Sequence, residues 1–188
     1  ELFHGPTLAF KDFGARFMSR CMQKFVKYQN KPLNILVATS GDTGSAVANG
    51  FFGVEGIKVI ILYPSTKVSA IQEKQLTTLG GNITALEIEG TFDDCQRMVK
   101  DAFRDDDLRK RQFLSSANSI NIARLLPQSV YYAWAWKQCG ENEPVIFSVP
   151  SGNFGNLTGG LLAKKMGVPV EKFIAATNSN DVFPKYLN

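Results

Sequence analysis

The amino-acid sequence predicts a three-layer α/β fold, with mostly parallel, open sheets and helices on both faces. Short runs of aliphatic and β-branched residues, such as 59–62, alternate along the chain with longer stretches of helical periodicity. Strands that alternate with helices form βαβ units, and these units require parallel strands. With 188 residues, of which 44% are hydrophobic, the chain can bury a substantial core.

Apolar residues at helical spacing predict the helices. The first helix ends before Pro32 and carries one apolar face, made of Phe13, Phe17, Cys21, Met22, Phe25 and Val26. Further helices are predicted at 43–52, at 69–79, after Thr91, up to about Gln138 and up to about Met166. Thr91 is a typical N-cap, and Pro127 must lie in the first turn of its helix or kink it. The run 104–107 is predicted to be a solvated loop.

Short apolar runs predict strands at 35–38, 58–63, 83–88, 112–114, 145–149 and 173–177. The carboxyl ends of parallel strands share one edge of a sheet, where α/β proteins bind their ligands. A polar break at 139–142 predicts a domain boundary, with a first α/β domain at 1–138 and the start of a second at 139–188. Because the chain has neither an initiator Met nor a signal peptide, we expect an internal piece of a longer protein, incomplete at both ends.

Composition excludes several classes of function. The 21 basic and 17 acidic residues are scattered, whereas nucleic-acid binding needs a focused basic patch. No apolar run approaches the roughly 20 residues of a membrane-spanning helix. Cys21, Cys95 and Cys139 are too widely spaced for a disulfide framework or a zinc site, and His4 is the only histidine. We therefore expect no metal, no nucleic acid or membrane partner, a reducing, cytoplasmic location, and acid–base chemistry by lysine, carboxylate or cofactor.

Two glycine-rich turns follow predicted strands and open helices. In the turn 150–156, Pro-Ser-Gly-Asn-Phe-Gly-Asn, glycines let successive N–H groups converge at a helix N-terminus, which suits a phosphate. This turn has neither the Lys-Ser/Thr ending of a P-loop nor the spacing of a dinucleotide site. The turn 39–44, Thr-Ser-Gly-Asp-Thr-Gly, offers hydroxyl and N–H groups to a carboxylate or a second phosphate. Each of the two turns could also be a plain glycine-rich turn that binds no ligand.

Two other segments carry candidate chemistry. Lys11 lies where a loop becomes a helix, between two phenylalanines, and desolvation with the helix dipole can disfavour its ammonium form. A free amine there could form a Schiff base, and the alternative is a solvated surface lysine. Asn118, Asn121 and Arg124 recur every three residues near a helix start, where amides and a guanidinium suit a phosphate or carboxylate. The alternative is a capping turn with a surface arginine.

Together, four segments resemble the threonine synthases, pyridoxal-phosphate enzymes of the tryptophan-synthase-β fold type, or fold type II. The segments occur in the family's order and are 3–12 (Phe-His-Gly-Pro-Thr-Leu-Ala-Phe-Lys-Asp), 38–46 (Ala-Thr-Ser-Gly-Asp-Thr-Gly-Ser-Ala), 116–121 (Ser-Ala-Asn-Ser-Ile-Asn) and 150–156. The resemblance covers nearly the whole chain. Related branches carry Asn in place of Asp42, and the Asp form resembles the bacterial and fungal branch.

This resemblance implies a lyase of threonine biosynthesis that converts O-phosphohomoserine and water into threonine and phosphate. Lys11 would hold pyridoxal phosphate as a Schiff base and shuttle protons at the substrate's carbons. The implied cofactor-binding residues are Lys11, Asp42, Ser151, Gly152, Asn153, Phe154, Gly155 and Asn156. The turn 39–44 would bind the substrate's α-carboxylate, and Asn118 and Arg124 would bind its phosphate. The implied substrate-binding residues are Thr39, Ser40, Gly41, Thr43, Gly44, Asn118, Ser119 and Arg124.

Three alternatives remain open from the sequence. Another enzyme of the same fold, such as a serine/threonine dehydratase or a β-replacement enzyme, would use the cofactor turn without needing Arg124 for a leaving phosphate. A nucleotide-binding Rossmann-like module would use the two turns to grip a dinucleotide. An inactive paralogue would bind its ligand without turnover.

Overall fold

A computed structural model describes residues 4–29, 31–119, 121–140, 143–150, 153–179 and 181–187. The chain divides into two compact units, Glu1–Arg124 and Leu125–Asn188. The predicted domain division lies later, at 138–139, because the sequence shows a polar break there but not which helix packs with which. The helix before that break packs within the second unit. The division of the whole protein into domains stays a prediction.

The first unit contains a four-stranded parallel sheet. Its strands are β1 (Leu33–Ala38), β2 (Ile57–Pro64), β3 (Ile83–Ile88) and β4 (Phe113–Ser116), in the order β3-β2-β1-β4. Its helices are α1 (Lys11–Val26), α2 (Asp42–Phe51), α3 (Ala70–Thr77), α4 (Phe92–Arg104), α5 (Asp106–Arg111) and, at the unit boundary, α6 (Ile122–Leu125). In the centre, Leu36 of β1 pairs with Ile60 of β2 and with Ser116 of β4.

Alternate residues of the central strands enter two separate apolar clusters. Ile35 of β1 is buried in one cluster with Met18 of α1 and Phe51 of α2. Leu36, the next residue along β1, is buried in the other cluster with Val99 of α4. Since successive strand side chains point to opposite faces, helices cover both faces of this sheet. The predicted three-layer arrangement with parallel strands is confirmed.

The second unit contains a two-stranded parallel sheet. A 3₁₀ turn (Leu126–Gln128) leads into α7 (Ser129–Gln138), followed by β5 (Val145–Pro150), α8 (Gly155–Lys165), β6 (Val170–Ala176) and α9 (Val182–Leu187). Tyr132 of α7 packs edge-on against Phe147 and Phe173, at ring-centroid distances of 4.8 and 5.9 Å. Gly160 of α8 faces these rings, because a Cβ there would lie 2.7 Å from Phe173 and 2.8 Å from Tyr132.

Three expectations for local structure were wrong or incomplete. The expected loop at 104–107 instead contains the start of α5, whose N-cap Asp105 accepts a hydrogen bond from the Leu108 N–H at 2.9 Å. The helix expected to run to Gln138 is α7, and Pro127, which has no N–H, lies in the 3₁₀ turn that separates it from α6. The strand predicted at 173–177 is β6, which already begins at Val170, and it is followed by α9, which the sequence did not predict. Among the described helices, none has both the length and the apolar character needed to cross a membrane.

Candidate active site

Lys11 is the first residue of α1, and the loop before it is held by Asp12. The Asp12 carboxylate is 3% exposed and accepts hydrogen bonds from the Thr7 N–H at 2.9 Å and the Thr7 hydroxyl at 2.5 Å. Gly5 lies so close that a Cβ would meet the Asp12 carboxylate at 2.3 Å. Asp12 therefore ties the loop at Thr7 to the first turn of α1, which carries Lys11. The sequence motif contains Asp12 but does not predict this role.

The Lys11 amine is sheltered and faces one carboxylate. Its Nζ lies 3.8 Å from Oδ2 of Asp42 and 5.3 Å from the centroid of the Phe10 ring, and the side chain is 19% exposed. Burial lowers the pKa of Lys11; the Asp42 carboxylate acts against this, and the positive charge of Arg124 lowers it further. A larger share of neutral amine results than for a solvated lysine, so the alternative of an ordinary surface lysine does not hold.

The turn after β1 is built around the hydroxyl of Thr39. This hydroxyl is buried and accepts the N–H groups of Gly41 at 3.0 Å and Gly44 at 2.8 Å. Gly41 has a φ of 144°, in the region that favours glycine. With the Ser45 N–H bonded to the Gly41 carbonyl, the remaining first-turn amides of α2 are those of Asp42 and Thr43. Thr39 thus shapes a turn whose free donors suit an anion.

Asp42 connects Lys11 to a residue that the sequence analysis missed. One carboxylate oxygen, Oδ2, faces Lys11, and the other, Oδ1, accepts a hydrogen bond from the Gln72 side chain at 2.6 Å. Gln72 lies in the first turn of α3 and forms a capping box with Ser69. The pattern Ser-x-x-Gln could have signalled the capping box, but nothing in it signals the contact with Asp42.

Asn118 joins the end of β4 to the end of β1. Its side-chain amide donates to the Ala38 carbonyl at 2.7 Å and accepts from the Ala38 N–H at 3.2 Å. Both polar ends are thus engaged with the backbone next to the Thr39 turn. Ser119, the next residue, is partly buried. A substrate-binding role for either residue stays a prediction, while the contact that the structure shows for Asn118 is a structural one.

Replacing Asn118 by Leu should destabilise the protein, because the N–H and carbonyl of Ala38 would lose their partner in a partly buried place. An unsatisfied buried backbone group costs about 1–3 kcal/mol. We therefore expect the free energy of unfolding of the full-length protein to fall by about 2–4 kcal/mol, measured by denaturant unfolding. Ser119→Ala is the matched control and should change it by less than about 0.5 kcal/mol. An equally small change in Asn118→Leu would contradict the pairing.

Arg124 is a buried residue, and the alternative of a surface arginine is wrong. Its side chain is 1% exposed, and Nη1 donates to the carbonyl of Ala117. Burial lowers the pKa of Arg124 to about 10, and its charge in turn lowers the pKa of Lys11. The capping turn that the same alternative predicts is present, because the Asn121 side chain accepts the Ala123 N–H at 3.0 Å at the start of α6. The three-residue spacing of Asn118, Asn121 and Arg124 did not predict that the Arg124 side chain is buried.

In the second unit, residues 151–154 connect β5 to α8. The predicted residues Ser151 and Gly152 lie outside the described residues, while Asn153, Phe154, Gly155 and Asn156 are described. Phe154 is buried with a φ of 46°, and its ring lies 4.6 Å from that of Phe183. This left-handed residue is the N-cap of α8 and turns the chain so that the helix begins at Gly155.

The start of α8 is held by Tyr132. Its hydroxyl donates to the Asn156 carbonyl at 2.8 Å, and burial raises the pKa of Tyr132 to about 12. The Asn156 side chain accepts the Leu157 N–H at 2.9 Å, and the Thr158 N–H bonds to the Phe154 carbonyl. The N–H groups of Gly155 and Asn156 remain as first-turn donors, which is the arrangement that binds phosphate at helix N-termini.

The first unit thus contains an amine with a lowered pKa, a carboxylate, a buried guanidinium and a helix start whose N–H donors suit an anion. Among the described residues, no group of three or more His, Cys, Asp or Glu side chains could hold a metal ion. A neutral lysine amine can attack a carbonyl carbon, and the same amine can later carry protons. Such a set of groups is typical of α/β enzymes that use a lysine as a nucleophile.

Comparisons with known proteins identify the family of the chain. The chain belongs to the pyridoxal-phosphate dependent enzymes, since the family model of that description matches residues 1–188. Among curated proteins it is similar to the threonine synthase of Buchnera aphidicola subsp. Acyrthosiphon pisum (strain APS), with 55% identity over 190 residues. It is also 56% identical over 190 residues to the threonine synthase of Escherichia coli (strain K12). Each match covers 100% of this chain and 44% of the relative.

Solved structures show the same relationship. The crystal structure of threonine synthase from Escherichia coli matches with a TM-score of 0.91 and 55% identity, over 100% of this chain and 44% of that one. A structure described as PLP-bound threonine synthase from Brucella melitensis matches with a TM-score of 0.90 and 45% identity, over 100% of this chain and 41% of that one. The chain thus spans less than half the length of the relatives that it matches, and the fold type II architecture is confirmed.

Proposed function

We propose that the protein to which this chain belongs is a threonine synthase, which converts O-phosphohomoserine and water into threonine and phosphate. The observation that carries the proposal is the sheltered Lys11 amine, 3.8 Å from Asp42, at the position where the resemblance expects the cofactor lysine. The 55% identity to threonine synthases over the whole chain supports the substrate. A cytoplasmic location stays a prediction.

The residues present fit pyridoxal phosphate as the cofactor. Lys11 has an amine with a lowered pKa, which can bind an aldehyde carbon. Asp42 lies within reach of that amine, and the α8 start with Asn153 to Asn156 would hold the phosphate, together with the predicted Ser151 and Gly152. When bound, pyridoxal phosphate supplies an electron sink that stabilises negative charge on the substrate's carbons.

The α2 N-terminus would bind the substrate's α-carboxylate. The Asp42 and Thr43 amides offer N–H donors, the helix dipole favours negative charge, and Ser40 is exposed beside them. Thr39, Gly41 and Gly44 would contribute by shaping this turn. Arg124 would serve the substrate's phosphate, together with Asn118 and Ser119 as the resemblance implies. Its charge and its electrostatic influence on Lys11 support this role.

Lys11 would also move the protons. With its amine free, Lys11 would accept a proton at one substrate carbon and deliver it at another. A lysine whose pKa is lowered by burial suits this role, because the neutral form is more populated at the working pH. The single histidine of the chain is not needed for it.

Borohydride treatment of the full-length protein tests the proposal. We expect visible absorbance that shifts on reduction, with the mass of the cofactor locked onto the peptide that contains Lys11. Lys24→Arg is the matched control, since Lys24 lies exposed on the same helix and its replacement should leave the label in place. Label on any other lysine contradicts the assignment. Turnover of O-phosphohomoserine, compared with serine and threonine, separates a threonine synthase from a dehydratase of the same fold.

A further inference from the structure

Gln72 uses both ends of its side-chain amide. Its Oε1 accepts hydrogen bonds from the Ser69 N–H at 3.3 Å and the Ser69 hydroxyl at 3.0 Å. Its Nε2 donates to Oδ1 of Asp42 at 2.6 Å. One side chain therefore connects the start of α3 with the first residue of α2.

The partners determine the orientation of this amide. The Ser69 N–H is a donor only, so the end of the amide that faces it must be the carbonyl oxygen. An ionised Asp42 carboxylate is an acceptor only, so the end that faces it must be the NH₂ group. A flipped amide would lose both contacts, which means that Gln72 can bind Asp42 and cap α3 in this one arrangement.

Gly41 is shaped to receive the same side chain. A Cβ at Gly41 would lie 2.6 Å from Nε2 of Gln72, which no real Cβ tolerates without a shift of its neighbour. The φ of 144° at Gly41 excludes most side chains independently of this contact. The Gln72 amide thus lies directly on the turn that precedes α2, beside the donors assigned to the substrate's carboxylate.

Asp42 needs such a partner to keep its position. Its side chain is 54% exposed, and an ion pair with that much solvent around it holds its geometry weakly. We propose that Gln72 is a positioning residue, which holds the Asp42 carboxylate in place beside the Lys11 amine. The role in catalysis rests on the proposed function, whereas the effect on the Lys11 amine does not.

The charged groups around Lys11 determine whether replacing Gln72 raises or lowers the pKa of Lys11. Asp42 raises the pKa of Lys11, while burial and the charge of Arg124 lower it. The Phe10 ring, 5.3 Å from Nζ, is the further neighbour and does not titrate. If Gln72 no longer holds Asp42, the carboxylate moves into solvent and the amine loses its stabilising partner. The pKa of Lys11 should then fall.

The test measures the Lys11 amine in full-length protein from which the cofactor has been removed. Acetic anhydride labels neutral amines. Mass spectrometry of the Lys11 peptide over a pH series then gives the midpoint, which is the pH at which labelling of Lys11 reaches half its maximum. We expect Gln72→Met to lower this midpoint by roughly half a unit to one unit, the size of a loosened ion pair near a protein surface. Gln72→Asn, which is one methylene too short to reach both partners, should lower it as well.

Asp42→Asn provides the matched background. It should lower the midpoint by itself, and adding Gln72→Met to it should give no further shift, because Gln72 acts through Asp42. Ser69→Ala removes the cap of α3 but leaves the donor to Asp42, so it should change stability and not the midpoint. In the loaded protein, the pH titration of the visible absorbance should follow the same pattern.

The proposal is overturned if Gln72→Met leaves the midpoint unchanged while Asp42→Asn lowers it. It is also overturned if Gln72→Met shifts the midpoint equally in both backgrounds, or if Ser69→Ala shifts it as much. A full-length wild type that borohydride does not label at Lys11 would instead refute the proposed function. The positioning role of Gln72 would then still be tested by the titration of the Lys11 amine.

Discussion

Lys11→Ala in the full-length protein should reduce threonine formation by at least about a thousandfold, to below detection. Among the described lysines of the first unit, Lys11 is the one paired with Asp42, so no other lysine is placed to supply the amine there. Borohydride should no longer lock cofactor mass onto the protein. The turn at Asn153 to Asn156 could still bind the cofactor's phosphate, because its donors are backbone N–H groups that the substitution does not touch.

This loss should not be a loss of folding. Burial lowers the pKa of Lys11, so below the ordinary pKa of a lysine the charged amine favours the unfolded chain, and folding pays an energetic penalty there. Alanine removes the penalty and has the highest helix propensity. We therefore expect the variant to unfold at the same denaturant concentration or higher. Lys24→Ala, on the exposed face of the same helix, is the control and should retain activity. Activity that survives in Lys11→Ala would remove Lys11 from the mechanism.

Local signals predicted much of the fold. Strand β3 occupies Ile83–Ile88, as predicted, because an apolar run there follows two glycines and precedes the N-cap Thr91. Helix α5 was missed because none of its residues is buried and they show no apolar period. It depends instead on the Asp105 cap and on pairs such as Arg109 with Asp106. Such polar features resemble those of a solvated loop in sequence.

The candidate site was predicted in its parts but not in its connections. Glycine and hydroxyl residues after a strand predicted the Thr39 turn, and a lysine at a loop–helix junction drew attention to Lys11. The contact between Gln72 and Asp42 joins residues that are 30 positions apart. It depends on how α3 packs beside α2, which periodicity does not report. The burial of Arg124 likewise depends on tertiary packing and not on its spacing from Asn118.

Arg124→Met should separate substrate recognition from cofactor binding. The substrate's phosphate is close to dianionic near neutral pH, and a phosphate in a sheltered site needs a partner that stays charged. A hydrogen bond to a charged group is worth about 1.5–3 kcal/mol, so kcat/KM should fall roughly ten- to several-hundred-fold. Visible absorbance and borohydride labelling at Lys11 should remain. Arg20→Met, an exposed arginine of α1, is the control and should leave kcat/KM unchanged.

The position of Arg124 adds a second readout to this experiment. Because its charge lowers the pKa of Lys11, Arg124→Met should raise the pH midpoint of Lys11 acetylation, the opposite of the shift expected from Gln72→Met. The substitution also leaves the Ala117 carbonyl without its guanidinium donor, so some stability should be lost. A raised midpoint with normal kcat/KM would mean that Arg124 influences the lysine but does not bind substrate, which would favour a dehydratase. Loss of the cofactor would place Arg124 in the cofactor site instead.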